Sequence, residues 1–252
     1  TVTDSGSITS TGGNVSISVS VTQNKGLLDL TANGENALES LNFINVKVSD
    51  ATVDIAGAIS AAGSVKSLVA ATTTVNVSNA DLAELFIPLA VSVAVVTAET
   101  GVTGSISAGG SVDLATKSAV SVTSEAKTGS LPVTLATSVV VSDTHTYIED
   151  GANITAGGDI SLSSDSTTTV TTTARKGSST GSSGGFFAIA VVLADTGTEV
   201  TDSASLEAGG DVTVKSVSNE TVSTTATVAS SGTDSSSGSG GTLNAVVNLV
   251  SG

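Results

Sequence analysis

Apolar and polar residues alternate along much of the chain, and glycine interrupts the alternation at regular intervals. The alternation reads Val15-Ser16-Ile17-Ser18-Val19 near the start and Val212-Thr213-Val214 near the end. A period of two places successive side chains on opposite faces of an extended strand. The pattern therefore predicts β-strands that bury one face and leave the other in water.

Five copies of a short glycine motif divide the chain into repeats. Each copy has a small residue, one or two glycines, a polar residue and then an apolar one, and the copies end near Gly13, Gly63, Gly110, Gly158 and Gly210. The steps between these glycines are 50, 47, 48 and 52 residues. Because a unit of this size cannot bury its own apolar face, the spacing favours stacked repeats over separate domains.

The repeats predict an all-β fold, a parallel β-helix or β-solenoid that runs as one continuous segment over residues 1–252. We expect about two coils of roughly 25 residues in each repeat, which gives about 48 Å along the axis. We also expect the paired glycines to supply positive φ angles at a turn. An apolar residue four or five positions before the last glycine of each motif should point inward and stack as a column: Ile8, Ile59, Ile106, Ile154 and Leu206.

Each repeat also contains a more apolar segment, such as Phe186 to Ala194 or Leu85 to Val96. These runs show little alternation, which predicts strands that are covered on both faces. The cover could be a neighbouring loop, a second layer or another molecule, and lateral contacts between copies through these strands are one possibility. Gly/Ser-rich insertions at Lys176 to Gly185 and Ser230 to Gly241 precede such segments, so we expect them on one exposed side of the solenoid.

The end of the sequence matches its beginning. Residues 190–210 align without a gap to residues 245–252 followed by residues 1–13, in an alignment that sets Ala190 against Ala245. This match has two interpretations: a unit of a covalent tandem array, or a subunit that stacks head to tail. Both predict an interface in which Val246, Val247 and Leu249 pack beside Val2 and Ile8 of the following unit.

Composition narrows the functional classes. The chain has 252 residues, no cysteine, one histidine and a net charge of −15. Without cysteine there is no disulfide framework or thiolate metal site, and the acidic balance argues against a nucleic-acid partner. The longest apolar run, Leu85 to Ala98, is too short for a helix that spans a membrane.

Catalytic chemistry has little support in the sequence. His145 lies in Ser142-Asp143-Thr144-His145-Thr146, where it alternates with polar residues and should lie on the surface of a strand. Nucleophilic catalysis needs a base that is oriented by a third group, and no such pattern is present. We therefore predict a protein that is not an enzyme, with no catalytic residue and no cofactor other than a weakly bound calcium.

The calcium hypothesis rests on aspartates that recur at fixed places in the repeats. Three precede the apolar column by four residues and two follow the glycine pair: Asp4, Asp150 and Asp202, then Asp159 and Asp211. Stacked coils would turn them into columns of carboxylates, which are the oxygen ligands that calcium prefers. The interpretation that we favour is that these side chains accept hydrogen bonds from backbone N–H groups at turns.

The threonine run at 167–173 raises the possibility of ice binding, which needs a flat Thr-x-Thr ladder over several coils. From spacing alone, the pairs Thr73-Thr74, Thr172-Thr173 and Thr224-Thr225 do not predict one regular column. Threonine is also a common residue at exposed strand positions.

The motif A-x-I-x-A-G-G-D-[VI]-x-[VL]-x-[SA] resembles repeats of large bacterial filamentous-haemagglutinin-like and leukotoxin-like adhesins. Ala152 to Ser163 and Ala204 to Ser216 carry the resemblance best, whereas the second copy departs from it with Ala-Gly-Ser at 62–64. The resemblance implies a right-handed β-helix at the bacterial cell surface or outside the cell, and it supplies no catalytic residues. With the repeats, it predicts a structural filament or adhesin segment that continues head to tail, with an unidentified host or surface receptor. The alternative is a ligand-binding solenoid, either a calcium-stabilised glycan adhesin or an ice-binding protein.

Overall fold

The computed structural model describes residues 6–23, 44–79, 89–128, 133–176, 185–227 and the backbone of residues 242–251. Their regular structure consists of fifteen β-strands. The strands are β1 Ser7–Ser10, β2 Val15–Gln23, β3 Ile44–Ile55, β4 Ala58–Ala61, β5 Val65–Asn79, β6 Leu89–Val102, β7 Ser105–Ala108, β8 Val112–Thr128, β9 Val133–Ile148, β10 Asn153–Ala156, β11 Ile160–Lys176, β12 Gly185–Val200, β13 Ser205–Ala208, β14 Val212–Thr227 and β15 Thr242–Ser251.

The strands form three parallel five-stranded sheets, and every third strand of the chain belongs to the same sheet. The first sheet has the order β1-β4-β7-β10-β13 and contains the short strands. The second sheet contains β2, β5, β8, β11 and β14, and the third contains β3, β6, β9, β12 and β15. Three strands make one turn around the axis, so the fold is a parallel β-helix, as the sequence predicts.

The expected two coils per repeat are wrong, because each repeat makes one wide coil. Ile59 pairs with Ile106, which lies one full repeat further along the chain. The reason is strand length: β6 has 14 residues and β8 has 17, so one side of a coil is roughly 50 Å long and the circuit uses the whole repeat. Five coils stack to about 24 Å instead of about 48 Å.

The predicted apolar column is confirmed. Ile8 pairs with Ile59, and the in-register pairing continues through Ile106, Ile154 and Leu206. The three central isoleucines are at most 1% exposed. A stack of aliphatic side chains therefore closes the interior beneath the short first sheet.

The glycine pairs allow neighbouring coils to approach each other closely. They do not have the positive φ angles that we expected from the sequence, so that expectation is wrong. A Cβ at Gly157 would lie 2.3 Å from the carbonyl oxygen of Gly109 in the preceding coil. A Cβ at Gly210 would lie 2.0 Å from Oδ1 of Asp159. Among the described residues, positive φ occurs at Gly151, where φ is 83°. The first glycine thus lets backbones stack, and the second leaves room for a side chain of the neighbouring coil.

The interior changes character away from the first sheet. Next to that sheet it is aliphatic, with Ile55, Ile148 and Leu162 fully buried. Between the long strands it contains buried serine and threonine hydroxyls that bond to each other across the coil. Thr116 Oγ1 donates to Thr100 Oγ1 at 2.7 Å and lies 2.8 Å from Thr146 Oγ1. These bonds satisfy polar groups that would otherwise be costly to bury.

The Gly/Ser-rich insertions lie almost wholly outside the described residues, so their exposure stays a prediction. Lys176 ends β11 and Gly185 begins β12, so the first insertion falls between the second and third strands of its coil. Residues 230–241 fall between β14 and β15, the equivalent strands of the next coil.

Candidate functional site

The third sheet turns large apolar side chains outward. In β6 the inward positions Ala90, Ser92 and Ala94 are fully buried, and the valines between them lie on the outer side. The same alternation holds along the first halves of β3, β9 and β12. We call the outward residues of 44–48, 89–95, 133–141 and 187–193 the apolar face. The outward valines Val48 and Val133 are each 43% exposed within the single chain, so cover of this face by another molecule stays a prediction.

The apolar face is organised as columns that run along the solenoid axis. The strand register sets Val46, Val93, Val139 and Val191 side by side, and it sets Val48, Val95, Val141 and Leu193 in the next column. The inward positions of these strands are mostly small, for example Ala90, Ala136 and Ala190, although Lys47 and Phe186 also point inward and are buried.

The second halves of the same strands carry carboxylates on the same outer side. We call the outward residues of 50–54, 97–101, 143–147 and 195–199 the acidic face. It holds Asp50, Asp54, Glu99, Asp143, Asp195 and Glu199, together with His145 and Tyr147. The register brings these residues from four coils into one array. The outer side of the third sheet is therefore divided into an uncharged half and an anionic half.

His145 bridges two coils on the acidic face. Its Nε2 lies 2.9 Å from Oδ1 of Asp143 and 3.4 Å from Oδ1 of Asp195. Its ring stacks on Tyr147 with centroids 5.0 Å apart, and it occupies the space above Gly197, where an added Cβ would be 2.7 Å from Nδ1. The side chain is 13% exposed. His145 thus lies on the outer side of a strand, as predicted, and its ring nitrogen contacts carboxylates of two adjacent coils.

The carboxylates change the acid–base behaviour of their neighbours. Burial raises the pKa of Glu99 above its ordinary value of 4.5, and Asp143 and Asp50 raise it further against the opposing effect of His145. Burial and the surrounding carboxylates raise the pKa of Tyr147 to about 12. The acidic face therefore disfavours additional negative charge, which is the response expected from like charges in one array.

The second sheet has a hydrophilic outer side. Lys66 pairs with Asp113 at 3.0 Å and Lys117 pairs with Asp165 at 3.6 Å, each between adjacent coils. Thr74, Ser121, Thr169 and Thr221 form one register column. This column includes Ser121, and the pairs Thr73-Thr74, Thr172-Thr173 and Thr224-Thr225 do not fall together in it, so the expectation that these pairs make no single regular column is confirmed.

Four of the five predicted calcium residues are described, and two of them belong to a ladder at the glycine corner. In this ladder a backbone N–H of one coil donates a hydrogen bond to a side-chain oxygen of the preceding coil. The four bonds run from Ser64 N to Asn14 Oδ1 (2.8 Å), from Ser111 N to Ser64 Oγ (3.1 Å), from Asp159 N to Ser111 Oγ (3.1 Å) and from Asp211 N to Asp159 Oδ1 (2.9 Å). This agrees with the turn-acceptor interpretation for Asp159. Asp211 is the last residue of the ladder. It occupies the position in its coil that Asp159 occupies in the preceding coil.

The other aspartates lie at the opposite corner. Asp150 is fully exposed, and hydrogen bonds from the side chains of Thr201 and Ser203 lower its pKa. Asp202 is exposed in the equivalent turn of the next coil, and Asp4 lies outside the described residues. In the described ranges, no group of three or more histidine, cysteine, aspartate or glutamate side chains is arranged to hold a metal ion.

The residues predicted for an assembly interface lie at the two ends of the stack. Ile8 is in β1 of the outermost coil and is 37% exposed, whereas Val2 lies outside the described residues. The register sets Val246 opposite Ala190, Val247 opposite Val191 and Leu249 opposite Leu193. The sequence alignment, which sets Ala190 against Ala245, is thus wrong by one residue along this strand. The repeated letters Ala-Val-Val are a weaker constraint than the in-register stacking of the whole strand.

Comparison with known proteins gives no relative: no family model, curated protein or solved structure matches the chain. In the part of the chain that the structure describes, no helix has the length and apolar character needed to cross a membrane.

One surface feature and one interior feature were not predicted. The acidic face arises because residues about 48 positions apart, such as Glu99, His145 and Asp195, come together only once the one-coil register is known. The signal in the sequence was that at least one acidic residue follows each of these apolar segments, such as Asp50, Glu99, Asp143 and Asp195. The buried hydroxyl network was hidden because serine and threonine are usual at exposed strand positions.

Proposed function

We propose that this chain is a non-enzymatic extracellular structural protein, a segment of a surface filament or adhesin whose coils continue head to tail. The observation that carries the proposal is the exposure of interior positions at the end of the stack. Val212 is 48% exposed, yet its partners in the preceding coils, Ile160 and Val112, are at most 1% exposed. A further coil of the same geometry would bury this position.

The corner ladder supports the same proposal with directional bonds. Four successive steps join coils through a side-chain oxygen and a backbone N–H. A fifth step would join the carboxylate of Asp211 to the N–H of Asn14 in a following unit. Parallel strand edges also provide backbone donors and acceptors for a new coil. A head-to-tail contact of this kind propagates instead of closing, whether or not a peptide bond joins the units.

The test is assembly of the purified 252-residue chain, followed by sedimentation and negative-stain electron microscopy. We expect filaments that lengthen with protein concentration. Asp211→Ala removes the proposed fifth step without touching a bond inside the chain and should raise the concentration needed for assembly by about five- to tenfold. The matched control is Asp202→Ala, which removes an exposed turn aspartate. A wild-type chain that stays monomeric at high concentration overturns the proposal.

A second candidate is a ligand-binding solenoid, which the outward column Thr74, Ser121, Thr169 and Thr221 favours. Hydroxyls in a flat parallel sheet recur about every 4.8 Å along the axis. Such a regular array could order water or a glycan. Inhibition of ice recrystallisation that is lost in Thr169→Lys but kept in Thr155→Lys would support ice binding. A rise in melting temperature on addition of millimolar calcium would support the calcium-stabilised alternative.

A further inference from the structure

The apolar face is about as large as the largest apolar patch on a typical monomer. The described part covers four strands spaced about 4.8 Å apart and three or more outward positions spaced about 6.6 Å apart, which gives roughly 500 Å². The largest apolar patch on a typical monomer is about 300–600 Å² and is often functional. Two such faces in contact would remove about 1,000 Å² from water, which reaches the size of a specific protein interface.

We propose that this face binds the same face of a second copy of the chain, so that solenoids pair laterally through their third sheets. The proposal deepens the structural role above, and it rests on that role only for the growth of both paired copies by addition of coils. The face can pack on a copy of itself because it is uncharged and built mostly from valine, isoleucine and leucine side chains, with Phe187 in β12. Two sheets of this kind pack with interdigitated side chains about 10 Å apart.

The acidic face next to it selects the orientation of the pair. If the strands of the two copies ran in the same direction, Asp143 and Asp195 would face the equivalent carboxylates of the second copy. If the strands run in opposite directions and the apolar faces overlap, each acidic face projects beyond the edge of its partner. Since desolvating opposed carboxylates is costly, the second arrangement is the one we infer. It sets the two solenoid axes parallel, so both copies can add coils in the same direction.

Cysteine cross-linking tests the contact directly, because the chain contains no native cysteine. Thr137→Cys puts one thiol near the middle of the apolar face, in register with Val91 and Ile189. The control Ser121→Cys puts one thiol on the outer side of the second sheet. We expect mild oxidation to convert at least ten times more Thr137→Cys than Ser121→Cys into disulfide-linked dimer. Equal cross-linking of the two variants overturns the proposal.

A substitution series separates lateral pairing from head-to-tail growth. The triple variant Val93→Thr, Val139→Thr and Val191→Thr keeps β-branched side chains and makes three of the four members of one column polar. We expect it to weaken lateral association at least tenfold and to reduce filaments from two solenoids in width to one, with unchanged length. The triple Val→Ile variant at the same positions should keep the double width. Asp211→Ala should shorten filaments and leave their width unchanged.

These experiments distinguish failure of lateral pairing from failure of head-to-tail growth. If head-to-tail growth does not occur, lateral pairing still gives a discrete dimer that the Thr137→Cys disulfide traps. Wild-type filaments of single width overturn the lateral proposal and leave head-to-tail growth in place. Binding of the wild-type chain, but not the threonine variant, to phosphatidylcholine vesicles without dimer formation would identify a lipid surface as the occupant and also overturn it.

Discussion

The second and third sheets are alike inside the solenoid and different outside it. Each contributes one long parallel strand to every coil, and each places alanine, valine, serine or threonine in the shared interior. Outside, the second sheet presents ion pairs such as Lys66–Asp113 and a threonine column. The third sheet presents the apolar face, for example Val139 and Val191, followed by the acidic face.

The difference between the outer sides of the two sheets shows which residues the fold requires and which it only tolerates. Both sheets form the same geometry, so an apolar outer side is not required to build a strand of this solenoid. Keeping large apolar residues in contact with water has a cost in solubility and confers little stability on an isolated coil. The outer side of the third sheet is therefore where a partner is expected, and the outer side of the second sheet is where water is expected.

The largest effect on stability should be the difference between an aspartate that points inward and one that points outward at neighbouring positions of one strand in the third sheet. Val140 is fully buried, and its neighbour Val139 lies on the apolar face. Val140→Asp would bury an unpaired carboxylate and should lower the free energy of unfolding by at least about 3 kcal/mol. Val139→Asp should lower it by no more than about 1 kcal/mol in dilute solution. Urea unfolding followed by circular dichroism measures both values.

If the two aspartate variants lost the same stability, the inward and outward assignment of the third sheet would be wrong. The corresponding pair in the second sheet is Val170, which is fully buried, and Thr169, which faces outward. Val170→Asp should match Val140→Asp, and Thr169→Asp should be the mildest of the four. A large loss for Thr169→Asp would remove the distinction between the two sheets.

The sequence predicted the parts of this architecture that depend on local pattern. The column from Ile59 to Ile154 followed from a fixed offset to glycine, and the strands followed from the period of two. Coil width could not be read in this way, because it depends on where a strand such as β8 turns, and long runs of serine, threonine and valine give no local signal for a bend. The apolar face was recognised as unusual, but a continuous apolar run does not show which of its residues point outward or what covers them, because both depend on tertiary structure.

An intermediate effect is expected from the hydroxyl network that both sheets share. Thr116 of the second sheet bonds to Thr100 and Thr146 of the third. Thr116→Val keeps the shape of the side chain and leaves two buried hydroxyls without this partner, so it should lower the free energy of unfolding by about 1–3 kcal/mol. The triple variant Thr100→Val, Thr116→Val and Thr146→Val removes the hydroxyls together.

Because polar groups that are removed together leave fewer unpaired partners, the triple variant should lose less stability than the sum of the three single variants. Thermal unfolding of the four proteins checks this non-additivity. Additive losses would mean that the hydroxyls act as independent groups, and the interior would then not couple the two sheets through hydrogen bonds.

The smallest expected effect concerns two glutamates on the outer sides of the sheets, whose pKa values are shifted in opposite directions. On the third sheet, burial and then Asp143 raise the pKa of Glu99 above 4.5. On the second sheet, burial acts to raise the pKa of Glu125, but a hydrogen bond and the charge of Arg175, together with Lys127, lower it overall. Arg175 Nε donates to Glu125 Oε1 at 2.6 Å.

The two shifts make stability depend on pH in opposite ways. Folded Glu99 holds its proton more tightly than the unfolded chain does, so its contribution to stability is lost as pH rises from 4.5 through the raised pKa. Folded Glu125 favours the carboxylate, so its contribution is present above 4.5 and is lost as pH falls through the lowered pKa.

At about pH 7, Glu99→Gln should therefore raise the free energy of unfolding and Glu125→Gln should lower it, each by a few tenths of a kcal/mol because both sites are partly solvated. Both differences from wild type should vanish in acid, below 4.5 for Glu99 and below the lowered pKa for Glu125. Urea unfolding across this pH range measures them, and equal signs at neutral pH would show that the acidic face and the ion-paired second sheet do not differ electrostatically.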